Sequence, residues 1–316
     1  MKEFVINDND AGQRLDKFLS KTCKNLPQSL LYKAIRTKKI KVNRKRAEPG
    51  TTLMPGDVVL CFLSPEFFEG TAGKDLFYTL KPELDIVYED ENIIICDKRP
   101  GLLSHPDEEG EQNTLIEHIK AYLYQKGEYK PEDENSFVPS LCNRIDRNTG
   151  GLVIAAKNAS ALRDMNEMIR ARVVSKYYLC AVHGVPSPKE AILTAYLYKD
   201  TKNNTVTVYD KYRQGRVKMV TGYKVTAEKN GNALLEVRLY TGKTHQIRSH
   251  LSYIGHSLLG DGKYGVNRED KKSGYKYQAL YSYKLTFDDG MDSLSYLKGK
   301  TIKADMKNVW FYGDFK

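Results

Sequence analysis

The chain has 316 residues, a length that favours two domains. Its formal net charge of +10 at pH 7 favours a polyanionic partner, with nucleic acid ahead of an anionic membrane. No apolar run approaches the ~18 residues of a transmembrane helix, and the N-terminus lacks an apolar signal core, so we expect a cytoplasmic protein with no membrane partner. The five cysteines include no Cys-x-x-Cys pair, which argues against a disulfide framework or a cysteine zinc site.

The first part of the chain, residues 1–63, predicts a small α+β module. Apolar residues recur at helical spacing and then alternate in short runs that are separated by polar turns. The predicted elements are a helix from residue 14, a second helix after Pro27, and strands at 38–42 and 58–63. A linker is predicted at residues 64–82.

Eight cations lie between residues 33 and 46 without an intervening acid. They are Lys33, Arg36, Lys38, Lys39, Lys41, Arg44, Lys45 and Arg46. A run of charge is usually a solvated face, but this one spans a helix end, a turn and a strand, which can converge on one surface. We therefore predict that these eight residues, called the basic patch below, bind RNA phosphates.

The remainder, residues 83–316, predicts a mostly antiparallel β domain with helices packed on it. The predicted elements are paired strands at 85–90 and 92–97, a helix at 115–123, a surface loop at 125–139, a strand at 151–156, a helix at 161–173, a strand at 177–182, and a hairpin of 217–227 and 233–240 around the turn 229–232. The whole chain is thus predicted to be α+β.

One segment that contains candidate catalytic residues is residues 143–152, NRIDRNTGGL. It places Asp146 between Arg144 and Arg147, just before a Gly-Gly pair and an apolar strand. Nearby cations favour the ionised carboxylate, and an ionised aspartate at the start of a strand is suited to nucleophilic attack. The same spacing also fits a structural Arg–Asp pair at a turn.

A second such segment is residues 241–251, TGKTHQIRSHL. Thr244, His245 and Gln246 are suited to polar groups, and Lys243 and Arg248 are suited to phosphate or carboxylate. The two histidines are five residues apart, and no third ligand lies nearby, so the segment does not predict a metal site.

In their order and spacing these motifs resemble those of the RluA-type RNA pseudouridine synthases that carry an N-terminal S4 domain. The S4 resemblance rests on residues 12–19 (GQRLDKFL), 40–43 (IKVN) and 55–59 (PGDVV). The chain departs from the S4 pattern at the second helix, where Ser29-Leu30 replaces the usual Ser-Arg. The family motif His-Arg-Leu-Asp-x-x-Thr-Ser-Gly-Leu stands as residues 143–152, and Thr-Gly-Arg-Thr-His-Gln-Ile-Arg-x-His-Leu as residues 241–251 with Lys243 for Arg. Residues 98–106 (KRPGLLSHP) and 278–280 (QAL) also fit.

The resemblance implies a curved, mixed but mainly antiparallel sheet with a central cleft. It implies that Asp146 is the catalytic aspartate, Tyr178 packs against the target base, Arg248 pairs with the aspartate, and Arg144 fills the gap left by a flipped base. Asn143 replaces the usual His, and it cannot carry a proton. We expect this position to be supportive. The expected RNA-binding residues in this domain are Arg144, Arg147, Thr149, Lys243, Thr244, His245 and Gln246.

The predicted reaction converts a uridine of structured RNA to pseudouridine without a cofactor or a metal. Asp146 would attack the sugar or the uracil ring, or assist formation of a glycal, and the sequence leaves all three open. Large-subunit ribosomal RNA is the expected target, and transfer RNA is the alternative. The chain is expected to be a monomer. Two other classes stay open: an inactive RNA-binding or assembly protein on the same scaffold, and a nucleoside hydrolase or glycosidase of a different class. A glycosidase would need two carboxylates about 5–10 Å apart.

Overall fold

The computed structural model describes residues 1–68, 76–107, 110–200 and 205–316. The chain forms two compact units. The first unit comprises Met1–Pro82, Glu117–Ser140 and Ala156–Arg163, and the second comprises Glu83–Ile116, Leu141–Ala155 and Asp164–Lys316. The domain boundaries at residues 63 and 82 stay a prediction, and residues 69–75 of the proposed linker lie outside the described residues.

The N-terminal part of the first unit is a four-stranded antiparallel sheet with two helices. The elements are β1 (Lys2–Val5), α1 (Leu15–Thr22), α2 (Gln28–Arg36), β2 (Ile40–Val42), β3 (Lys45–Arg46) and β4 (Val58–Cys61), and the strand order is β1-β4-β2-β3. Phe18, Leu31 and Ile40 bring both helices and the sheet into one core. Asn43 and Arg44 both have positive φ, which allows the tight turn between β2 and β3. The predicted α+β module is confirmed here.

The second unit is built on a large sheet. The next elements of the chain are β5 (Ile86–Glu89), β6 (Ile93–Lys98), α3 (Leu115–Lys126), β7 (Ser140–Leu141), β8 (Gly150–Ala156), α4 (Ala159–Arg170), β9 (Val174–His183), β10 (Glu190–Asp200) and β11 (Thr205–Tyr209). They are followed by β12 (Val217–Lys229), β13 (Asn232–Leu239), α5 (Gln246–Tyr253), α6 (Arg268–Lys272), β14 (Leu280–Phe287) and β15 (Thr301–Lys303).

Within the described residues this sheet has eleven strands, in the order β11-β10-β12-β13-β9-β14-β8-β6-β5, with β15 paired to β14 and β7 paired to β8. Strands β9 to β13 pair antiparallel with their neighbours, whereas β8 runs parallel to β14. The predicted mixed, mainly antiparallel sheet is confirmed. No helix in the described ranges is both long enough and apolar enough to span a bilayer.

Several predicted boundaries shift for local backbone reasons. The strand predicted at 38–42 begins at Ile40, because Lys38 has φ 61°. The helix predicted at 161–173 ends at Arg170, and Arg172 has φ 62°. The loop predicted from residue 125 begins later, because α3 continues to Lys126. A left-handed residue cannot continue a right-handed helix or a regular strand, so Lys38 and Arg172 delay or end the elements beside them.

The two glycines at the start of β8 allow the parallel contact with β14. Gly151 has φ +115°, and a Cβ added there would lie 2.2 Å from the carbonyl oxygen of Ser282. Gly151 and Ser282 are register partners. Only a residue without a side chain fits so close an approach.

We therefore expect Gly151→Ala to lower the free energy of unfolding by about 3 kcal/mol, since it adds both backbone strain and a clash. Urea denaturation followed by circular dichroism measures the change. Gly313→Ala is the control, because a Cβ there meets nothing within 4 Å. Equal midpoints for the two variants would contradict the expectation.

Candidate active site

A cleft of about 400 Å³ lies in the second unit. Most of its lining comes from three parts of the chain that are distant in sequence: the loop before β8, strand β9, and the segment that leads into α5. Lys199 of β10 and Leu280 of β14 complete the lining. The lining includes these residues predicted from the sequence: Arg144, Asp146, Thr149, Tyr178, Lys243, Thr244, His245, Gln246 and Arg248. The exposed side chain of Arg147 is not part of the lining, and its Nε donates to the carbonyl oxygen of Gly101 at 3.2 Å.

The carboxylate of Asp146 presents two different oxygens to the cleft. Oδ2 accepts a hydrogen bond from Nη1 of Arg248 at 2.9 Å. Among the described residues, Oδ1 accepts no hydrogen bond. The side chain is 30% exposed, so a molecule in the cleft can reach it. Asp146 therefore has one oxygen oriented by a cation and one oxygen open to a reactant.

Two hydrogen bonds hold the part of the loop that precedes Asp146. The side-chain oxygen of Asn143 accepts from the backbone N–H of Ile154 at 2.8 Å. The hydroxyl of Ser104 donates to the carbonyl oxygen of Ile145 at 3.1 Å. Asn143 thus supports the backbone next to β8. These bonds favour a preorganised aspartate.

A buried lysine holds the other side of the loop. Nζ of Lys98 donates to the carbonyl oxygens of Arg99, Leu102 and Arg147 at 3.1, 2.7 and 3.0 Å. Burial lowers the pKa of Lys98 to about 7, although the charge of Asp146 opposes this shift. No role was predicted for Lys98, yet it joins the KRPGLLSHP segment to the loop after Asp146.

Arg248 is shared between two carboxylates. Its Nε and Nη2 donate to Oδ2 and Oδ1 of Asp261 at 2.7 and 2.9 Å, respectively. Its Nη1 donates to Oδ2 of Asp146. Oδ1 of Asp261 also accepts the backbone N–H groups of Lys263 and Tyr264 at 2.9 and 3.2 Å. Burial alone would raise the pKa of Asp261, but the hydrogen bonds and charge of Arg248 outweigh it and lower that pKa. Burial alone would lower the pKa of Arg248, but the two carboxylates outweigh it and raise that pKa, so the guanidinium stays charged.

Sequence reasoning assigned no role to Asp261. The signal was present in residues 260–265, GDGKYG, where an aspartate follows a glycine thirteen residues after Arg248. The aspartate stands in a glycine-rich turn directly after the apolar pair Leu258-Leu259, a place where a side chain can turn inward. Its side chain is 0% exposed, and Arg248 is the cation that balances it.

Of two adjacent tyrosines in β9, Tyr178 lines the cleft. Tyr178 is buried and hydrogen-bonded to the side chain of Ser282, and burial raises its pKa to about 12. Neighbouring strand residues point to opposite faces. Tyr177 accordingly packs elsewhere, with Nζ of Lys284 at 4.0 Å from its ring centroid and the guanidinium of Arg238 at 5.6 Å.

Gln246 is committed to internal contacts. Its Oε1 accepts from the hydroxyl of Thr241 at 2.8 Å and from the backbone N–H of Lys243 at 3.1 Å. Its Nε2 donates to the carbonyl oxygen of Val220 and to the hydroxyl of Thr221, both at 3.0 Å. The geometry therefore favours a role for Gln246 in holding the 241–246 segment against β12. Thr149 is similarly buried, and its hydroxyl accepts from Gln278 at 3.2 Å.

The basic patch lies in the first unit. Seven of its side chains are exposed, and Lys41 is half-buried with its Nζ 5.6 Å from the ring centroid of Phe62. Lys41 and Arg46 are register partners on β2 and β3. In the described part of the chain, no member of the patch forms an ion pair with a carboxylate. These cations are therefore available to an external polyanion.

The side chains of the cleft do not form a set of metal ligands within the described residues. Over the ranges that the structure describes, no group of three or more His, Cys, Asp and Glu side chains is placed to hold a metal ion. The cleft combines one reachable carboxylate, a fixed guanidinium and an aromatic side chain. Such a set can hold a planar polar ring and attack it or its attached sugar.

Comparison with known proteins gives consistent results. Residues 92–253 match the family model described as RNA pseudouridylate synthase, and residues 13–59 match the S4 domain. The chain is 36% identical over 318 residues to an uncharacterized RNA pseudouridine synthase of Mycoplasma capricolum, which covers 96% of this chain and 97% of the relative. It is 30% identical over 316 residues to the ribosomal large subunit pseudouridine synthase C of Haemophilus influenzae, which covers 98% and 94%. The solved structure of human RNA pseudouridylate synthase domain containing 4 shares the fold, with a TM-score of 0.57, 19% identity, and coverage of 73% of this chain and 93% of the human chain.

Proposed function

The chain belongs to the RNA pseudouridylate synthase family, and we propose that it isomerises uridines of large-subunit ribosomal RNA in the cytoplasm, with Asp146 as the nucleophile. The observation that carries this proposal is the geometry of Asp146. One of its oxygens is held by Arg248 at 2.9 Å, and the other is open to the cleft.

The reaction exchanges one bond of the nucleoside for another. The bond between N1 of uracil and C1′ of ribose breaks, and a bond between C5 and C1′ forms. The hydrogen on C5 leaves as a proton, and N1 gains a proton, so there is no net oxidation or reduction. The enzyme must attack the nucleoside, hold the detached base during its rotation, and exclude water from the intermediate.

Arg248 supports the attack electrostatically. Its guanidinium stays charged because two carboxylates surround it, and its bidentate bond to Asp261 fixes its plane. The remaining N–H bond then orients Oδ2 of Asp146 and leaves Oδ1 for the nucleoside. A charge fixed in a partly dry cleft stabilises a transition state without reorganising at the moment of reaction.

The target base must leave its helix before it can enter the cleft. Flipping a base costs a few kcal/mol and favours loops or unpaired positions. We propose that Tyr178 stacks on the uracil within the cleft and that the exposed Arg144, at the cleft lining, occupies the gap that the base leaves. An aromatic face suits a rotating ring, because stacking does not depend on one hydrogen-bond register.

The basic patch would bind phosphates of the RNA around the target. Replacing Lys39, Lys45 and Arg46 by glutamine is therefore expected to weaken RNA binding roughly tenfold at moderate salt. The slope of log K against log salt concentration is expected to fall by about 1 for each phosphate that the variant no longer neutralises. Fluorescence anisotropy over a salt series measures both quantities.

The matched control removes the same charge elsewhere. Lys276, Lys303 and Lys307 are exposed residues outside the patch, and their replacement by glutamine should leave the slope near that of the wild type. Equal reductions of affinity in the two triple variants would mean that net charge, and not the patch, determines RNA binding.

The choice of target rests on a relative. The Haemophilus influenzae relative is named for the large ribosomal subunit, so we favour that RNA over transfer RNA. The test uses RNA that carries tritium on C5 of uridine, because formation of the C5–C1′ bond releases that tritium to water. Large-subunit RNA and transfer RNA are incubated separately with the wild type. Tritium release from large-subunit RNA supports the proposal, and release from transfer RNA alone would reassign the target.

The same assay distinguishes the other activities. Free uracil in the product would indicate a nucleoside hydrolase. RNA binding without release of tritium from any cellular RNA would indicate an assembly protein on this scaffold. The monomeric state stays a prediction that sedimentation can measure on the same samples.

A further inference from the structure

His245 occupies an unusual backbone position beside the cleft. Its φ of 52° and ψ of 23° are left-handed, and α5 begins at the next residue. Left-handed conformations are uncommon outside glycine, although Asn, Asp and His adopt them more readily than other residues. The side chain is 9% exposed and lines the cleft. A strained position of this kind suggests that its placement serves the site.

A chain of hydrogen bonds leads through Tyr264 to the ring of His245. The backbone N–H of Val206 donates to the hydroxyl oxygen of Tyr264 at 3.1 Å. That oxygen lies 2.8 Å from Nδ1 of His245. The hydroxyl has one hydrogen, and Nδ1 is the one acceptor it reaches among the described residues. The hydroxyl hydrogen finds an acceptor when Tyr264 donates to Nδ1, and a neutral ring then carries its own hydrogen on Nε2.

Tyr264 is itself held in place. Its ring packs against the cluster of Ala195, Leu197 and Val206, and it meets the ring of His245 edge-on at a centroid distance of 5.6 Å. Its backbone carbonyl accepts from the hydroxyl of Ser252 at 2.6 Å. Burial raises the pKa of Tyr264, which keeps the phenol protonated and able to donate.

The Nε2 atom of His245 faces the proposed nucleophile. It lies 3.9 Å from Oδ2 of Asp146, too far for a direct hydrogen bond. Burial lowers the pKa of His245, and the cations Arg248 and Lys263 add to this shift while Asp146 opposes it, so the ring is uncharged at neutral pH. An uncharged donor beside Asp146 does not compete with Arg248 for the carboxylate.

We propose that His245 is a catalytic residue that donates a hydrogen bond from Nε2 to a carbonyl oxygen of the target uracil, and that Tyr264 is the positioning residue that fixes this tautomer. The inference rests on the proposed function of the cleft. When the bond to C1′ breaks, its electron pair stays on the uracil, and the negative charge spreads onto the carbonyl oxygens. A donor fixed beside those oxygens stabilises the detached base.

The tautomer can be measured without any activity. We would record nitrogen NMR spectra of histidine-labelled protein at neutral pH and assign His245 by its absence in His245→Asn. The wild type is expected to show an unprotonated Nδ1 and a protonated Nε2, and Tyr264→Phe is expected to shift His245 toward a mixture of tautomers. A hydrogen on Nδ1, or a charged ring, in the wild type would overturn the proposal.

The kinetic test separates binding from the chemical step by using single-turnover tritium release with saturating enzyme. Asparagine also adopts the left-handed backbone, but its shorter side chain does not reach the position of Nε2. His245→Asn is therefore expected to lower the rate roughly 100-fold, far more than it lowers RNA affinity. His245→Gln places an amide N–H near the position of Nε2 and is expected to keep more activity than His245→Asn. Tyr264→Phe, which removes the group that orients the ring, is expected to lower the rate roughly tenfold.

Tyr253→Phe is the control for loss of a tyrosine hydroxyl, because that hydroxyl bonds to Asp210 outside the cleft lining. Its rate should equal that of the wild type. Wild-type rates for both His245→Asn and Tyr264→Phe would overturn the inference while the proposed function stands. If the wild type converts no RNA, the proposed function fails, and the NMR result still decides whether Tyr264 fixes the tautomer.

Discussion

Replacing Asp146 by asparagine is expected to lower the single-turnover rate of pseudouridine formation by at least roughly 10⁴-fold, the scale seen when a catalytic nucleophile is removed. The amide is nearly the same size as the carboxylate and can still accept a hydrogen bond from Arg248. It has no negative charge and is a poor nucleophile. Because the basic patch is unchanged, RNA affinity is expected to stay near that of the wild type. Tritium release and fluorescence anisotropy measure the two properties on one sample.

Asp305→Asn controls for the removal of one carboxylate from the chain, since Asp305 is exposed and outside the cleft. It should convert RNA at the wild-type rate. If Asp146→Asn lowers RNA binding and conversion in equal proportion, the aspartate contributes to binding and not to the chemical step.

Replacing Arg248 by methionine is expected to reduce both stability and activity severely. The change leaves the fully buried carboxylate of Asp261 without its cation, and breaking a buried ion pair costs about 3–5 kcal/mol. It also removes the group that orients Asp146. Urea denaturation measures the first effect, and single-turnover tritium release at low temperature, where the folded fraction is larger, measures the second.

The double variant Arg248→Met/Asp261→Asn separates the two effects. Asparagine can still accept the backbone N–H groups of Lys263 and Tyr264, but it leaves no buried charge. We expect the double variant to regain much of the stability while activity stays low. An Arg248→Met protein as stable as the wild type would contradict the account of the buried pair. A double variant with restored activity would contradict the role given to Arg248.

Much of the fold could be predicted because its periodic signals are strong. The paired strands β5 and β6 and the hairpin of β12 and β13 lie where alternation and turn residues indicate them. Strand β10 could not be predicted because apolar residues lie on both of its faces: Ala195 and Leu197 are buried, whereas Ile192 and Tyr198 are exposed. Helix α5 escaped prediction as well: it begins after a left-handed histidine with no side-chain cap, so the usual start signal is absent.

The site could be predicted in part, because the family resemblance implies the pair of Asp146 and Arg248 but does not specify the other hydrogen-bond partners. Asp146 and Arg248 are 102 positions apart, and the structure places them 2.9 Å from each other. The GDGKYG segment marks Asp261 as a candidate, but its bond to Arg248 depends on how the chain turns back after α5. Gln246 was expected to contact RNA, yet its side chain is engaged within the protein. A polar side chain next to a site can form hydrogen bonds to the protein backbone instead of to a ligand, and the sequence does not distinguish the two.

The role of Asn143 is easier to define with the structure. The family residue at this position is a histidine, and the side-chain oxygen of Asn143 accepts the backbone N–H of Ile154 at 2.8 Å. That bond needs an acceptor and no proton transfer. The geometry therefore agrees with a supportive role for Asn143, which is compatible with the proposal that Asp146 is the nucleophile.

The most direct test of the central claim is a map of pseudouridines in cellular RNA by carbodiimide modification. A strain that lacks this gene would be compared with the same strain carrying either the wild-type gene or Asp146→Asn. We predict that one or a few sites in large-subunit ribosomal RNA disappear in the deletion, return with the wild type, and stay absent with Asp146→Asn. Identical maps for all three strains, across ribosomal and transfer RNA, would contradict the claim that this cleft makes pseudouridine with Asp146.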